Sequence, residues 1–178
     1  MAIEKKTEFE IEHTFDPVKN RHFLNGDCTV LHCHHYSTLY VQLALDAKDF
    51  EGVRHLVENA EDVFYNVLNR YYQAKNITSI ADKVAVAEEY WKISGMGIIK
   101  FSAIGKYAVT AEMEYSHLDE GWLKKWGSHD QPINFFTTGF VAAVADLTNN
   151  NPPRSFQAKE IKSLVCGDEK SVFKAVVR

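Results

Sequence analysis

Apolar residues in the second quarter of the chain recur at helical intervals: Phe50, Val53, Leu56, Val57, Ala60, Val63, Phe64, Val67, Leu68 and Tyr71 advance mostly by three or four positions. That spacing gathers them on one side of an amphipathic helix and leaves Arg54, Glu58, Glu61 and Asp62 for solvent. A second helix opens at Ser79-x-x-Asp82, a weak capping box, and carries Ile80, Val84, Ala87 and Trp91 inward before stopping near Ser94-Gly95. The run "GIIKFSAIGKYAVTAEMEYS" then reads as two strands joined around Gly105-Lys106. "LDEGWLKKWG" suits a short helix. Pro132 suits the first turn of a helix that starts after Asp130. Phe135, Phe136, Phe140, Val144 and Leu147 make this helix mostly buried, and Asn149-Asn150-Asn151-Pro152-Pro153 ends it. "FQAKEIKSLV" and "SVFKAVVR" close the chain as a hairpin across Cys166-Gly167-Asp168-Glu169.

The N-terminal part is less regular. Residues 7–12, "TEFEIE", alternate as a short strand, and "DPVKNRHFLNGDC" reads as a loop with Pro17 and the Asn25-Gly26-Asp27 turn signal. From Thr29 to Leu45 the apolar residues follow no single period, which predicts a segment covered on most sides. No repeat or linker divides residues 1–178, so one domain of α+β class is expected.

Composition narrows the function. A chain of 178 residues with 46% hydrophobic residues can build a core without disulfide or metal staples. Its 20 basic and 24 acidic residues are dispersed, with no basic stripe for nucleic acid. The charged start Glu4-Lys5-Lys6, the lack of any apolar run long enough to span a bilayer, and three cysteines without a framework predict a cytoplasmic protein with reduced thiols.

The segments "GSHDQPINFFTTGFVAAVADLTNN" and "KEIKSLVCGDEKSVFKAVV" resemble the 4-vinyl-reductase-type domain family, most strongly within residues 114–178. Gly139-Phe140 matches its helix signature, Glu160 its glutamate, and Gly167-Asp168 with Phe173 its final turn and strand. Ser163 and Ser171 stand where the family pattern has cysteines, and Asn134 where another often lies. Serine hydroxyls are poor zinc ligands beside thiolates, so the family's zinc corner is expected to be absent. The resemblance implies a twisted antiparallel sheet on long helices, a fold shared with vesicle-tethering and haem-nitric-oxide-sensor relatives. It also implies a homodimer with a cavity between helices and sheet that takes a small apolar or aromatic molecule.

The densest chemistry lies in "LHCHHY", residues 31–36. An extended backbone would turn His32 and His34 to one face, and a helix would stack His32 on His35 with Tyr36 near. With His117 or Glu120 as a third ligand, the imidazoles would suit zinc or iron(II), and His32, His34 and His117 form the candidate metal set. Cys33 beside a histidine base is a candidate nucleophile. The alternatives are hydrogen bonding within the fold, or His32, His34 and Tyr36 orienting a ligand whose apolar wall includes Phe136 and Phe140. These yield two functional expectations: a small-molecule-binding or sensor protein, and a small metal-dependent enzyme.

Overall fold

A computed structural model describes residues 9–30 and 32–178; residues 1–8 and Leu31 lie outside the described residues. The strand expected over residues 7–12 is thus only partly covered, and residues 9–12 form no strand. The stretch read as a loop instead folds into a small antiparallel meander of β1 (His13–Asp16), β2 (Arg21–Leu24) and β3 (Asp27–Thr29). Asn25 and Gly26, with φ of 49° and 84°, form the two-residue link between β2 and β3. Both central residues of a type I′ turn require such angles, and Asn-Gly supplies them at low cost.

Helix α1 (His34–Asp46) follows, then α2 (Gly52–Ala74) and α3 (Ile80–Ile93). Ser79 caps α3 by accepting the Asp82 N–H. The main sheet combines β4 (Gly97–Ile104), β5 (Ala108–Ser116), β6 (Phe156–Lys162) and β7 (Ser171–Val177) in the order β4-β5-β7-β6, antiparallel throughout. Both expected hairpins are present; the last also contains a short 3₁₀ turn at Leu164–Cys166. Helix α4 (His117–Trp126) leaves β5 directly, and α5 (Phe135–Thr148) crosses the sheet. Helix α5 starts later than Pro132 suggests, because Asn134 is its N-cap and its Oδ1 accepts the Thr137 N–H at 3.2 Å.

Helix α5 is buried on nearly every side, between α2 on one face and the sheet on the other. Gly139 makes this possible. A Cβ there would lie 2.5 Å from the Val57 carbonyl oxygen and 2.7 Å from Ala60 Cβ, so only glycine lets α2 and α5 approach so closely. Above the sheet, Trp91 and Phe140 stack with ring centroids 4.2 Å apart, and Phe64 meets each of them edge-on at 5.3 Å. These rings fill the helix–sheet interface, where the resemblance implied a cavity; burial of each large side chain there stabilises the fold by about 2 kcal/mol.

Two expectations about solvated faces change. Glu61 is fully buried rather than exposed on α2, because Arg154 reaches it: the Arg154 N–H donates to Glu61 Oε1 at 2.6 Å and its guanidinium lies 3.1 Å away. Helix α1 buries Thr38, Val41 and Ala44, but leaves Tyr36, Leu39, Tyr40 and Leu43 on its outer face. It is apolar on both faces, which is why the sequence shows no single period.

Candidate functional site

Cys33 is the N-cap of α1, with extended backbone, and its carbonyl accepts the Tyr36 N–H at 3.0 Å. The histidine run therefore straddles a boundary: His32 precedes the helix, while His34 and His35 lie in its first turn. His34 packs beneath α4, where Gly121 leaves room; a Cβ at 121 would lie 2.6 Å from His34 Cβ. Its ring lies 4.3 Å from that of His35 and 5.8 Å from that of His117, by centroids. The fold thus brings His34 and His117 together from distant parts of the chain. Burial lowers the pKa of both, with neighbouring imidazoles adding to the effect and the Glu120 charge opposing it. His34 Nε2 is buried without a hydrogen-bond partner.

His32 stacks on Tyr36 at 5.2 Å, and Tyr36 meets Tyr40 edge-on at 5.3 Å. Among the described residues no group of three or more His, Cys, Asp or Glu side chains is placed to hold a metal ion. The expectation of zinc or iron held by His32, His34 and His117 is therefore corrected: proximity of two rings does not make a convergent donor set. Cys33 is exposed and its side chain makes no cap hydrogen bond. Phe140 is fully buried within the aromatic stack, and Phe136 packs partly buried against the smaller core around Val41, Leu118 and Trp122.

The positions matched to the family pattern gather in a second place. Glu160 Oε2 accepts the Asn134 N–H at 3.0 Å, and its Oε1 accepts from Ser171 Oγ at 2.8 Å. Ser171 Oγ also accepts the Leu164 N–H at 3.1 Å. Asn134 Nδ2 donates to Ser116 Oγ and to Asp119 Oδ2, at 3.0 and 2.7 Å. Two carboxyls thus lie in a low-dielectric corner. Burial, then the charge of Asp119, pushes the Glu160 pKa up to about 7 against the pull of Ser163, Ser171 and the Asn134 amide. Burial raises Asp119 as well. In chemical terms the corner is a hydrogen-bonded knot that joins β6, β7, α4 and the start of α5.

A third feature escaped the sequence reading. Between α2 and the N-terminal meander runs a groove of about 860 Å³, with Phe9, Ile11, Leu24, Val67, Tyr71 and Tyr90 among its lining residues. Phe9 anchors the meander by packing on Tyr71 at 4.6 Å and on Tyr90 at 5.7 Å. At the rim, both Asp27 oxygens accept from Arg70 Nη2 at 2.8 Å, and Lys75 pairs with Glu10. The Glu10 N–H donates to the Tyr71 hydroxyl at 2.8 Å. Walls that are about half aromatic or aliphatic, with Glu12, Asn25 and Asn66 beside the paired charges, suit a small amphiphilic or aromatic molecule. None of His32, His34, Tyr36, Phe136 and Phe140 lines this groove. A usable signal was the width of the α2 stripe: Val63 and Val67 extend it beyond what α5 covers, and Val63 is left 57% exposed.

No protein-family model and no curated protein sequence matches the chain. Among solved structures, it is similar to the phenol-responsive sensory domain of the transcription activator PoxR, solved with phenol. The TM-score is 0.72 at 11% identity, over 93% of this chain and 84% of that one. It is also similar to trafficking protein particle complex subunit 3 from Naegleria fowleri, covalently bound to palmitic acid. Here the TM-score is 0.53 at 11% identity, over 82% of this chain and 94% of that one. At such identities the likeness concerns fold alone: an α+β architecture with helices on antiparallel sheets, shared with a phenol-responsive sensory domain and a trafficking protein particle complex subunit. What is supported is thus a distant structural similarity to these two folds, and the 4-vinyl-reductase-type family is not shown for the chain. Among the described residues no helix is long and apolar enough to cross a membrane.

Proposed function

We propose that the chain is a cytoplasmic, homodimeric small-molecule-binding domain of the sensor type, which holds an apolar or aromatic molecule in the groove between α2 and the N-terminal meander. The observation that carries this reading is the groove itself. Its volume of about 860 Å³ falls within the size range of small-molecule sites, about half of its lining residues are aromatic or aliphatic, Asn25, Asn66 and Glu12 add polar groups, and Arg70 and Lys75 are paired with Asp27 and Glu10 at the mouth. The fold likeness to a phenol-responsive sensory domain supports the sensor class. The filled helix–sheet interface favours this groove over the space beneath α3, since Phe140 has Trp91 and Phe64 against its ring.

The test is thermal unfolding of the full chain with phenol, a short alkylphenol and a medium-chain fatty acid. A ligand that binds only the folded state raises Tm in a saturable way. Val67→Trp, which fills the groove with an uncharged ring, should abolish the shift, whereas His34→Ala should leave it in place. No shift with any of the three, or a shift lost in His34→Ala but kept in Val67→Trp, contradicts the reading.

A further inference from the structure

The groove between α2 and the meander carries an unbalanced charge. Its charged lining residues are Glu10, Glu12, Asp27, Arg70 and Lys75, three carboxylates against two cations. Both cations already have partners: Arg70 donates to the two Asp27 oxygens at 2.8 Å, and Lys75 pairs with Glu10. Glu12 is the acid left over, since among the described residues its carboxylate makes no hydrogen bond or ion pair. Glu10 first, and Glu12 after it, hold the Lys75 ammonium above its ordinary pKa, so both acids lie within the field of that one cation. The backbone fixes where Glu12 stands. Its N–H donates to Asn25 Oδ1 at 2.8 Å, its carbonyl accepts the Asn25 N–H at 2.8 Å, and Asn25 Nδ2 donates to the Glu10 carbonyl at 3.1 Å. In the same groove Phe9 packs on Tyr71 tilted by 41° and meets Tyr90 nearly at a right angle, which makes a corner of three rings.

We propose that the groove selects a cationic aromatic amphiphile, an arylalkylammonium ion whose ammonium pairs with Glu12 while its ring packs among Phe9, Tyr71 and Tyr90. A carboxylate without a counter-charge attracts a cation, and so do the faces of aromatic rings. A neutral alcohol of the same shape keeps the ring contacts and loses the ion pair. A carboxylate of that shape keeps the ring contacts but meets Glu12 with like charge, and it finds Arg70 and Lys75 already neutralised. An exposed ion pair together with one cation–π contact favours the ammonium over the alcohol about tenfold. The inference rests on the groove reading of the proposed function and adds the chemical class of the ligand.

Phenethylamine, phenethyl alcohol and phenylacetate, alike in ring and nearly alike in length, are titrated into the labelled full chain at neutral pH, with amide shifts giving each dissociation constant. The amine should bind about tenfold more tightly than the alcohol, and phenylacetate more weakly than either. Added salt should narrow the gap between amine and alcohol, because an exposed pair is screened. Glu12→Gln keeps the backbone ties to Asn25 and should bring the amine-to-alcohol ratio close to one. Asp49→Asn, which removes the same charge at an exposed position outside the groove, should leave the ratio as it is. Alcohol or phenylacetate binding in the groove as tightly as the amine overturns the ligand class and leaves the groove reading standing. A ratio unchanged in Glu12→Gln, or lowered equally by Asp49→Asn, overturns the assignment to Glu12. No saturable binding of any of the three at groove residues overturns this inference and the groove reading together.

Discussion

Replacing Glu160 by Gln perturbs the polar knot at a single proton. Glu160 has its pKa raised from 4.5 to about 7 in the folded chain, chiefly by burial, so the fold binds a proton that the unfolded chain releases. The folded-state value exceeds the unfolded one, so the stability linked to this proton is fully present below the unfolded pKa and is lost as pH rises through about 7. Between about pH 5.5 and about pH 8 a shift of this size removes about 2 kcal/mol of unfolding free energy. Glutamine copies the neutral acid: its oxygen can accept the Asn134 N–H, and its amide can donate to Ser171 Oγ. Urea unfolding of wild type and Glu160→Gln at the two pH values gives the assay; His34 and His117 titrate in both chains and cancel, so the difference reports Glu160 together with its coupling to Asp119. The wild type should lose about 2 kcal/mol more than the variant on going from the lower to the higher pH. Equal losses in the two proteins would refute the placement of a protonated carboxyl in this corner.

Three other outcomes follow from the same contacts. Gly139→Ala should destabilise by about 1–2 kcal/mol, since the overlap with the Val57 carbonyl outweighs the gain in helix propensity, and urea unfolding measures it. Phe9→Ala should cost about 3 kcal/mol and release the meander, so that amides of residues 22–29 lose hydrogen-exchange protection well before those of α5. Asp146→Asn should stabilise the fold more at pH 8 than at pH 5. Burial and the hydrogen-bonded Glu61 push Asp146 up to about 7, so its ionisation above that pH works against the folded state, and thermal unfolding at the two pH values reads the difference.

Long periodic elements were legible in the sequence, while features made by distant contacts were not. The apolar steps from Val53 to Tyr71 found α2, though Phe50, counted with them, falls in the 3₁₀ turn before it and stays 81% exposed, and Phe135 to Leu147 found α5. The meander carries no strand signature because its strands are only three or four residues long and half polar; Asn25-Gly26 marks the turn but not the strands it joins. Helix α1 hid its period by being apolar on two faces. Glu61 looked solvated because its partner, Arg154, approaches from a loop far along the chain. The site followed the same rule. The histidines were conspicuous by composition, and the approach of His34 to His117 was anticipated only as an open question, yet density of ligand-type residues did not make a metal centre. The groove, formed by two segments that are ordinary alone, had no local motif to announce it.

Chemical-shift mapping of the isotopically labelled full chain during titration with the apolar and aromatic probes tests the ligand-binding account most directly. The account predicts saturable shifts concentrated at Phe9, Leu24, Val67 and Tyr71, and none of these in Val67→Trp. Absence of saturable shifts at those four residues with every probe, or shifts centred on His34 and His117 instead, would contradict it.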